Sequence, residues 1–338
     1  MTAATAALVA GVGALGVTTH APPAAASTGA REELRFLDPA IDESSGLVVQ
    51  GDDVLTVNDS GDGPVVYVVD AGTGETVGRT TYTSDEVVDV EALARGRDGS
   101  VWVGDIGDND AVRPFVSLYR LPAVTRGDRT VTAQRFDLVH PGGPRDAETL
   151  LVQPSTGRVF VVTKGVFGGQ VMAAPDPLRA GQPNRLRPVG RVGGLVTDGT
   201  FLPGGAVVLR DYGDGFVVDP RTWRGVGAFP MPLQEQAEAV APWPGGRVLV
   251  SSEGDEQPLL SVPVPQQFLD EATREGDGAG GSEARGQGRD GPSTRTDDDE
   301  PAQSVIPLGP AVVGGGVLAL ATLTVFWLLR RRVRRTPR

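Results

Sequence analysis

One interval recurs along the middle of this chain and constrains what it can fold into. Ser45 is followed sixteen residues later by Gly61, Glu91 by Gly107, Thr197 by Gly213 and Glu238 by Gly254; Glu148 reaches Gly165 with one residue more. The five segments read SGLVVQGDDVLTVNDSG, EALARGRDGSVWVGDIG, ETLLVQPSTGRVFVVTKG, TDGTFLPGGAVVLRDYG and EAVAPWPGGRVLVSSEG. Each is a short apolar run, a turn bearing Gly or Pro, a β-branched run and a polar-Gly break. That is the pattern of a β-hairpin. Recurrence at a fixed period marks a repeat architecture. A two-sheet sandwich would account for the strands but not for the interval.

Further strand-like runs follow most hairpins: PVVYVVD and ETVGRTTYT in the first unit, FVSLYRLPA and TVTAQRFDLV in the second, QVMAAP and RLRPVGRV in the third, GFVVD and RGVGAFP in the fourth. The last unit supplies LLSVPVP and no fourth strand, while REELRFL stands unpaired before the first unit. Four-stranded units of this length are propeller blades. The expected fold is therefore all-β, a β-propeller of five four-stranded blades over residues 28–265, with the N-terminal strand completing the last sheet. A sixth blade would have to hide in residues 111–145, where turn signals are too few.

The flanks read differently. Residues 1–27 carry no charged side chain and end in an Ala24-Ala25-Ala26 run that fits a signal-peptide cleavage site. Residues 266–303 are acidic and Gly-rich, too poor in apolar side chains to offset their ordering entropy, and read as a disordered stalk. Val305–Leu329 is uncharged and long enough to span a bilayer, within an expected transmembrane helix of 304–329. The arginine-rich tail 330–338 follows at once and would stay cytoplasmic. The expectation is a single-pass plasma-membrane protein with an extracellular propeller.

Charge and composition exclude some chemistry. There are 31 basic and 43 acidic residues, and six of the arginines lie in the tail. So acidic a middle region repels nucleic acid and favours cations or basic partners. There is no cysteine, so disulfides and thiolate metal sites are absent. The histidines are His20, in the leader, and His140, in a VHPGGP loop. No GxSxG or P-loop sequence occurs.

In a propeller blade the start of the innermost strand and the end of its neighbour lie at one mouth of the central channel. The first place is held by Ser45, Glu91, Glu148, Thr197 and Glu238; the second by Asp59, Asp105, Thr163, Asp211 and Ser252, with Lys164, Arg210 and Glu253 beside them. Asp89 and Asp146 lead into the second and third units. Two readings stay open. The carboxylates can cap backbone N–H groups in tight turns. Alternatively Glu91, Glu148 and Glu238 hold a metal ion between them, Ca²⁺ or Mg²⁺ by the hardness of their oxygens. Asp59, Asp105, Lys164, Arg210 and Asp211 would then contact a ligand.

The set DVEAL, VWVGDIGDN, LYRLP, DAETL, VTDGTFLPGGAVVLRDY and QAEAV resembles exported actinobacterial WD40-like or phytase-like β-propellers, the group described by an esterase-like activity of phytase. The resemblance implies the propeller fold, and a fold does not fix a function. The WD dipeptides of true WD40 repeats are missing. Three functions follow as expectations. The first is non-catalytic binding of a cell-surface protein, glycan or small anionic ligand at one mouth. The second is a divalent-metal-dependent phosphoesterase or hydrolase of phytase-like type. The third is a structural scaffold in a cell-surface complex.

Overall fold

A computed structural model describes residues 28–59, 62–84 and 87–274. The expected leader, the greater part of the stalk, the span 304–329 and the tail 330–338 lie outside the described residues. Among the described residues no helix is long and apolar enough to cross a membrane.

The chain opens with β1 (Arg31–Arg35). Blade 1 follows with β2 (Ser44–Gln50), β3 (Asp53–Asn58), β4 (Val65–Asp70) and β5 (Thr76–Tyr82). The second repeat supplies β6 (Val90–Arg95), β7 (Val101–Asp105), β8 (Val116–Leu121), β9 (Arg129–Val131) and β10 (Gln134–Val139). The third supplies β11 (Ala147–Val152), β12 (Val159–Thr163), β13 (Gly169–Ala173), β14 (Asn184–Arg185) and β15 (Arg187–Val192). Blade 4 holds β16 (Asp198–Phe201), β17 (Val207–Arg210), β18 (Asp214–Asp219) and β19 (Arg224–Pro230). Blade 5 holds β20 (Ala237–Trp243), β21 (Arg247–Ser252) and β22 (Pro258–Pro263), before the helix α1 (Gln266–Thr273).

These strands form five sheets, and β1 is the outer strand of the fifth, antiparallel to β22 from Arg31↔Ser261 to Arg35↔Pro258. The molecule is thus a five-bladed propeller closed by its N-terminal strand. The innermost strands touch in cyclic order, β2 to β6, β11, β16, β20 and back to β2. Gly46 shows how closely: a Cβ there would collide with the backbone of Ala92 and Leu93 on β6.

Every sheet is sandwiched between two others, so its middle strands bury both faces. That is why VVYVV and VFVVT are continuous apolar runs rather than alternating ones. Five apolar clusters fill the five gaps between blades. Trp102 packs in the gap between blades 2 and 3, stacked on Phe136 at 5.5 Å between ring centres.

Three features depart from the sequence reading. The run expected as one outer strand of the second unit splits: β10 stays in blade 2, while β9 crosses to lie parallel on β5 of blade 1. Likewise β14 lies parallel on β10 of blade 2, and only β15 completes blade 3. Each crossing strand stitches one blade to its neighbour. The third departure is α1, which forms where the stalk was expected to begin. Phe268, Leu269 and Ala272 pack it against blade 4, and the Phe268 ring fills the space above Gly227.

Candidate functional site

The first residues of the repeat reach the channel through a local fault in strand pairing. In β2 the register slips between Ser44 and Gly46, in β6 between Val90 and Ala92, in β11 between Ala147 and Thr149, and in β20 between Ala237 and Val240. The residues in the slips are Ser45, Glu91, Glu148 and Glu238, the last with Ala239. A bulge re-aims the side chain it carries, so one device serves four blades. Thr197 stands just before β16 and donates its N–H to Arg210 O at 3.0 Å. Ser45, Glu91, Glu148, Thr197 and Glu238 are all at most 4% exposed.

A second ring forms where the chain leaves the second strand of the blade. The N–H of Asp59 bonds Glu43 O at 2.9 Å, that of Lys164 bonds Asp146 O at 3.0 Å, and that of Glu253 bonds Gln236 O at 3.0 Å. In blade 2 the same bond runs one residue later, from Gly107 N to Asp89 O at 3.1 Å. These bonds correct one equivalence read from the interval. Ser44 pairs with Asn58 as Val90 pairs with Asp105, so Asn58 is the counterpart of Asp105. Asp59 instead corresponds to Lys164, because the first hairpin turn is shorter.

Asp59, Asp89 and Glu91 converge here: each offers a carboxylate oxygen within 4.8 Å of the others. Asp59 comes from blade 1, Asp89 and Glu91 from blade 2. Gly107 makes room for them, since a Cβ on it would collide with the carboxylates of Asp89 and Glu91. Burial first, then Asp59 and Asp146, push Asp89 up to about 7. Burial, then Asp59 and Glu148, raise Glu91 well above the carboxylate range.

The other two glutamates of the repeat sit differently. Glu148 Oε1 lies 2.5 Å from Lys164 Nζ. Burial works against the Lys164 ammonium, but Glu148, Tyr212, Glu238 and Glu91 outweigh it and hold its pKa above the ordinary value. Burial likewise raises Glu148, against the pull of Lys164. Burial pushes Glu238 up to about 7, opposed by Lys164 and Arg210. All three glutamates act on Lys164, Glu148 in direct contact, and Glu91 in addition joins the aspartates Asp59 and Asp89.

The aspartates expected at the mouth differ in their contacts. Asp105 accepts the N–H of Asp89 at 3.0 Å and pairs with Arg113 at 2.8 Å. Asp211 accepts Gly213 N at 2.9 Å and Asp214 N at 2.8 Å, an Asx turn. Arg210 is fully buried; Nη1 donates to Ala239 O and Ser251 O, both at 3.0 Å, and Nη2 to Gln234 Oε1 at 3.2 Å. It is a strut from blade 4 to blade 5 rather than a ligand contact. Burial lowers it to about 10, still charged at neutral pH. The turn-closing arrangement is seen at Asp211, while Asp59, Asp89 and Glu91 form a carboxylate group that could hold an ion.

Arg113 and Tyr212 escaped the sequence reading. Arg113 has no counterpart in the other repeats, and its roles come from the folding-back of the β7–β8 connection, where Asp108 accepts the N–H groups of Val112 and Arg113. Asp89 did leave a signal: D-x-E recurs at 89–91 and 146–148.

No protein-family model matches the chain, and no curated protein matches it. Similar solved structures include a gluconolactonase of Xanthomonas campestris, 17% identical with a TM-score of 0.42, over 66% of this chain and 72% of that one. A glutaminyl cyclase of Myxococcus xanthus is 13% identical with a TM-score of 0.45, over 69% and 95%. A calcium-binding regucalcin of Agrobacterium tumefaciens is 14% identical with a TM-score of 0.43, over 69% and 90%. Identities and scores this low carry no inference about activity.

Proposed function

We propose that the protein is a non-catalytic binding propeller whose mouth takes a hard divalent cation, Ca²⁺ or Mg²⁺, on Asp59, Asp89 and Glu91. The observation that carries this reading is the convergence of three carboxylates from two blades in an enclosed place. Two unit charges at such a separation repel by about 3 kcal/mol at an effective dielectric of about 20. A divalent ion turns that repulsion into attraction. The donor set is oxygen only, which suits Ca²⁺ or Mg²⁺ rather than Zn²⁺. His140 is buried elsewhere, with Arg145 and Asp108 as the charges that act on it.

Thermal unfolding of the full chain in EDTA, then with added Ca²⁺ or Mg²⁺, tests the proposal. Saturation at about a hundred times the dissociation constant adds about 2.7 kcal/mol. The expected result is a rise in Tm that disappears in the Asp89→Asn/Glu91→Gln variant. No shift with either ion would overturn it. Turnover of a phosphoester dependent on the same ion would replace binding with hydrolysis, the ion then polarising the phosphoryl oxygen or activating water. Display of the propeller outside a plasma membrane remains part of the proposal; protease accessibility on intact cells is its test.

A further inference from the structure

Among the described residues the large exposed apolar side chains gather at one end of the protein, with Leu37 the exception. Connections that leave the second strand of a blade, or lead into the first, lie at the carboxylate mouth. Among the described residues six of the seven large exposed apolar side chains lie in such a connection at the mouth. Val88 precedes Asp89 and is 50% exposed; Val112 is 70%, Val166 62%, Phe167 94% and Leu233 91% exposed. Phe115 is 40% exposed, with the Arg135 guanidinium over its ring. Leu37, 49% exposed, stands apart from this rim, its N–H bonded to Gly74 O in the β4–β5 turn at the opposite end. Among the described residues the turns at the opposite end carry no large exposed apolar side chain of their own. A rim of this kind marks an interaction surface.

The same connections are acidic. Asp62, Asp110, Glu235, Asp255 and Glu256 are exposed there. The described basic residues of these connections are Arg113, Arg145 and Lys164, and two of the three are already paired, Arg113 with Asp105 and Lys164 with Glu148. Charge complementarity therefore calls for a cationic occupant and disfavours an anionic bilayer. The route of the chain agrees. It leaves blade 5 through α1, whose Ala272 O accepts Arg221 Nη2 of the β18–β19 turn at the other end of the blades. The last described residues thus lie at the end opposite the mouth.

We infer that this rim docks a protein partner through a segment in which Lys or Arg alternates with apolar residues. The cations meet the exposed carboxylates, and the apolar side chains cover Val166, Phe167 and Leu233. The inference extends the binding reading above but uses the rim, not the cation cluster.

Three labelled peptides of equal length in a Gly-Ser background serve as probes for the full chain: one with Lys and Leu, one with Lys alone, one with Glu and Leu. Fluorescence anisotropy should show the Lys–Leu peptide bound at least about tenfold more tightly than either other. The variant Val166→Ser/Phe167→Ser/Leu233→Ser should lose that preference while keeping its Tm and its Ca²⁺ response. Equal binding by the variant and the native chain, or no binding of the Lys–Leu peptide, overturns the inference. So does co-sedimentation with phosphatidylglycerol vesicles that the triple variant abolishes, which would make the rim a membrane contact. Loss of the Ca²⁺ response alone, in Asp89→Asn/Glu91→Gln, with peptide binding intact, would leave the inference standing apart from the cation site.

Discussion

Lys164 Nζ lies 2.5 Å from Glu148 Oε1 at the channel mouth, where Glu148 is almost wholly enclosed. Removing the ammonium leaves a buried carboxylate without its counter-charge, among Asp146 and Glu238. Lys164→Met should therefore cost about 3 kcal/mol by urea denaturation. Pairing it with Glu148→Gln should restore most of the loss. Equal loss in the single and double variants would mean the ion pair is not what matters.

Gly107 leads to a second expectation. Gly107→Ala should push Asp89 and Glu91 apart, with a cost of about 1–3 kcal/mol from overpacking. Its diagnostic effect is on the ion: the Ca²⁺-dependent rise in Tm should shrink more than the Tm in EDTA falls. An unchanged Ca²⁺ response would detach Gly107 from the cluster.

Arg210 is expected to be structural. Arg210→Met strands the carbonyls of Ala239 and Ser251, which it now satisfies. The expected loss is about 3 kcal/mol, since hydrogen bonds to charged groups are worth about 1.5–3 kcal/mol and the buried acceptors are left unpaired. Arg210→Lys should recover little, because an ammonium does not reproduce the guanidinium fork. Ca²⁺ binding should persist in whatever fraction remains folded.

His140 gives the pH prediction. Burial, then Arg145, lower its pKa to about 4 from the ordinary 6.5, and neither ring nitrogen has a hydrogen-bond partner. The unfolded chain therefore takes up the proton first. The contribution of this residue is complete above pH 6.5 and declines as pH falls toward about 4, to a total of about 3 kcal/mol. His140→Leu should remove that part of the acid sensitivity while changing stability at pH 7 by about 1 kcal/mol or less. Superimposable stability–pH curves for the two proteins would refute it.

The repeat interval made five blades legible because a blade's inner hairpin is local: two strands, one turn and one return to the mouth. The missing fourth strand of blade 5 and the spare REELRFL gave closure by the same local logic. What the interval missed is interblade. The destinations of β9 and β14 depend on which neighbour presents an open edge, β5 or β10, and nothing in RTV or NR encodes that. At the mouth, spacing singled out carboxylates and a lysine but could not sort them by contact. Asp59, one residue past the counterpart of Asp105, is set beside Glu91 by turn length. Glu148 is drawn to Lys164 because the third repeat alone carries a lysine there.

The β1–β22 pairing has a consequence in time. Arg31 bonds across to the strand that holds Ser261, so β1, made before every other described strand, is among the last to be matched. At a synthesis rate of about 5–20 residues per second, β1 waits on the order of ten seconds or more as a lone edge strand. Its sequence suits that wait. In REELR only Leu34 is buried in the finished ring; the other four positions are charged and exposed. Charges on an unmatched edge discourage pairing with another chain. The clasp of the ring thus carries its own guard against closing on the wrong molecule.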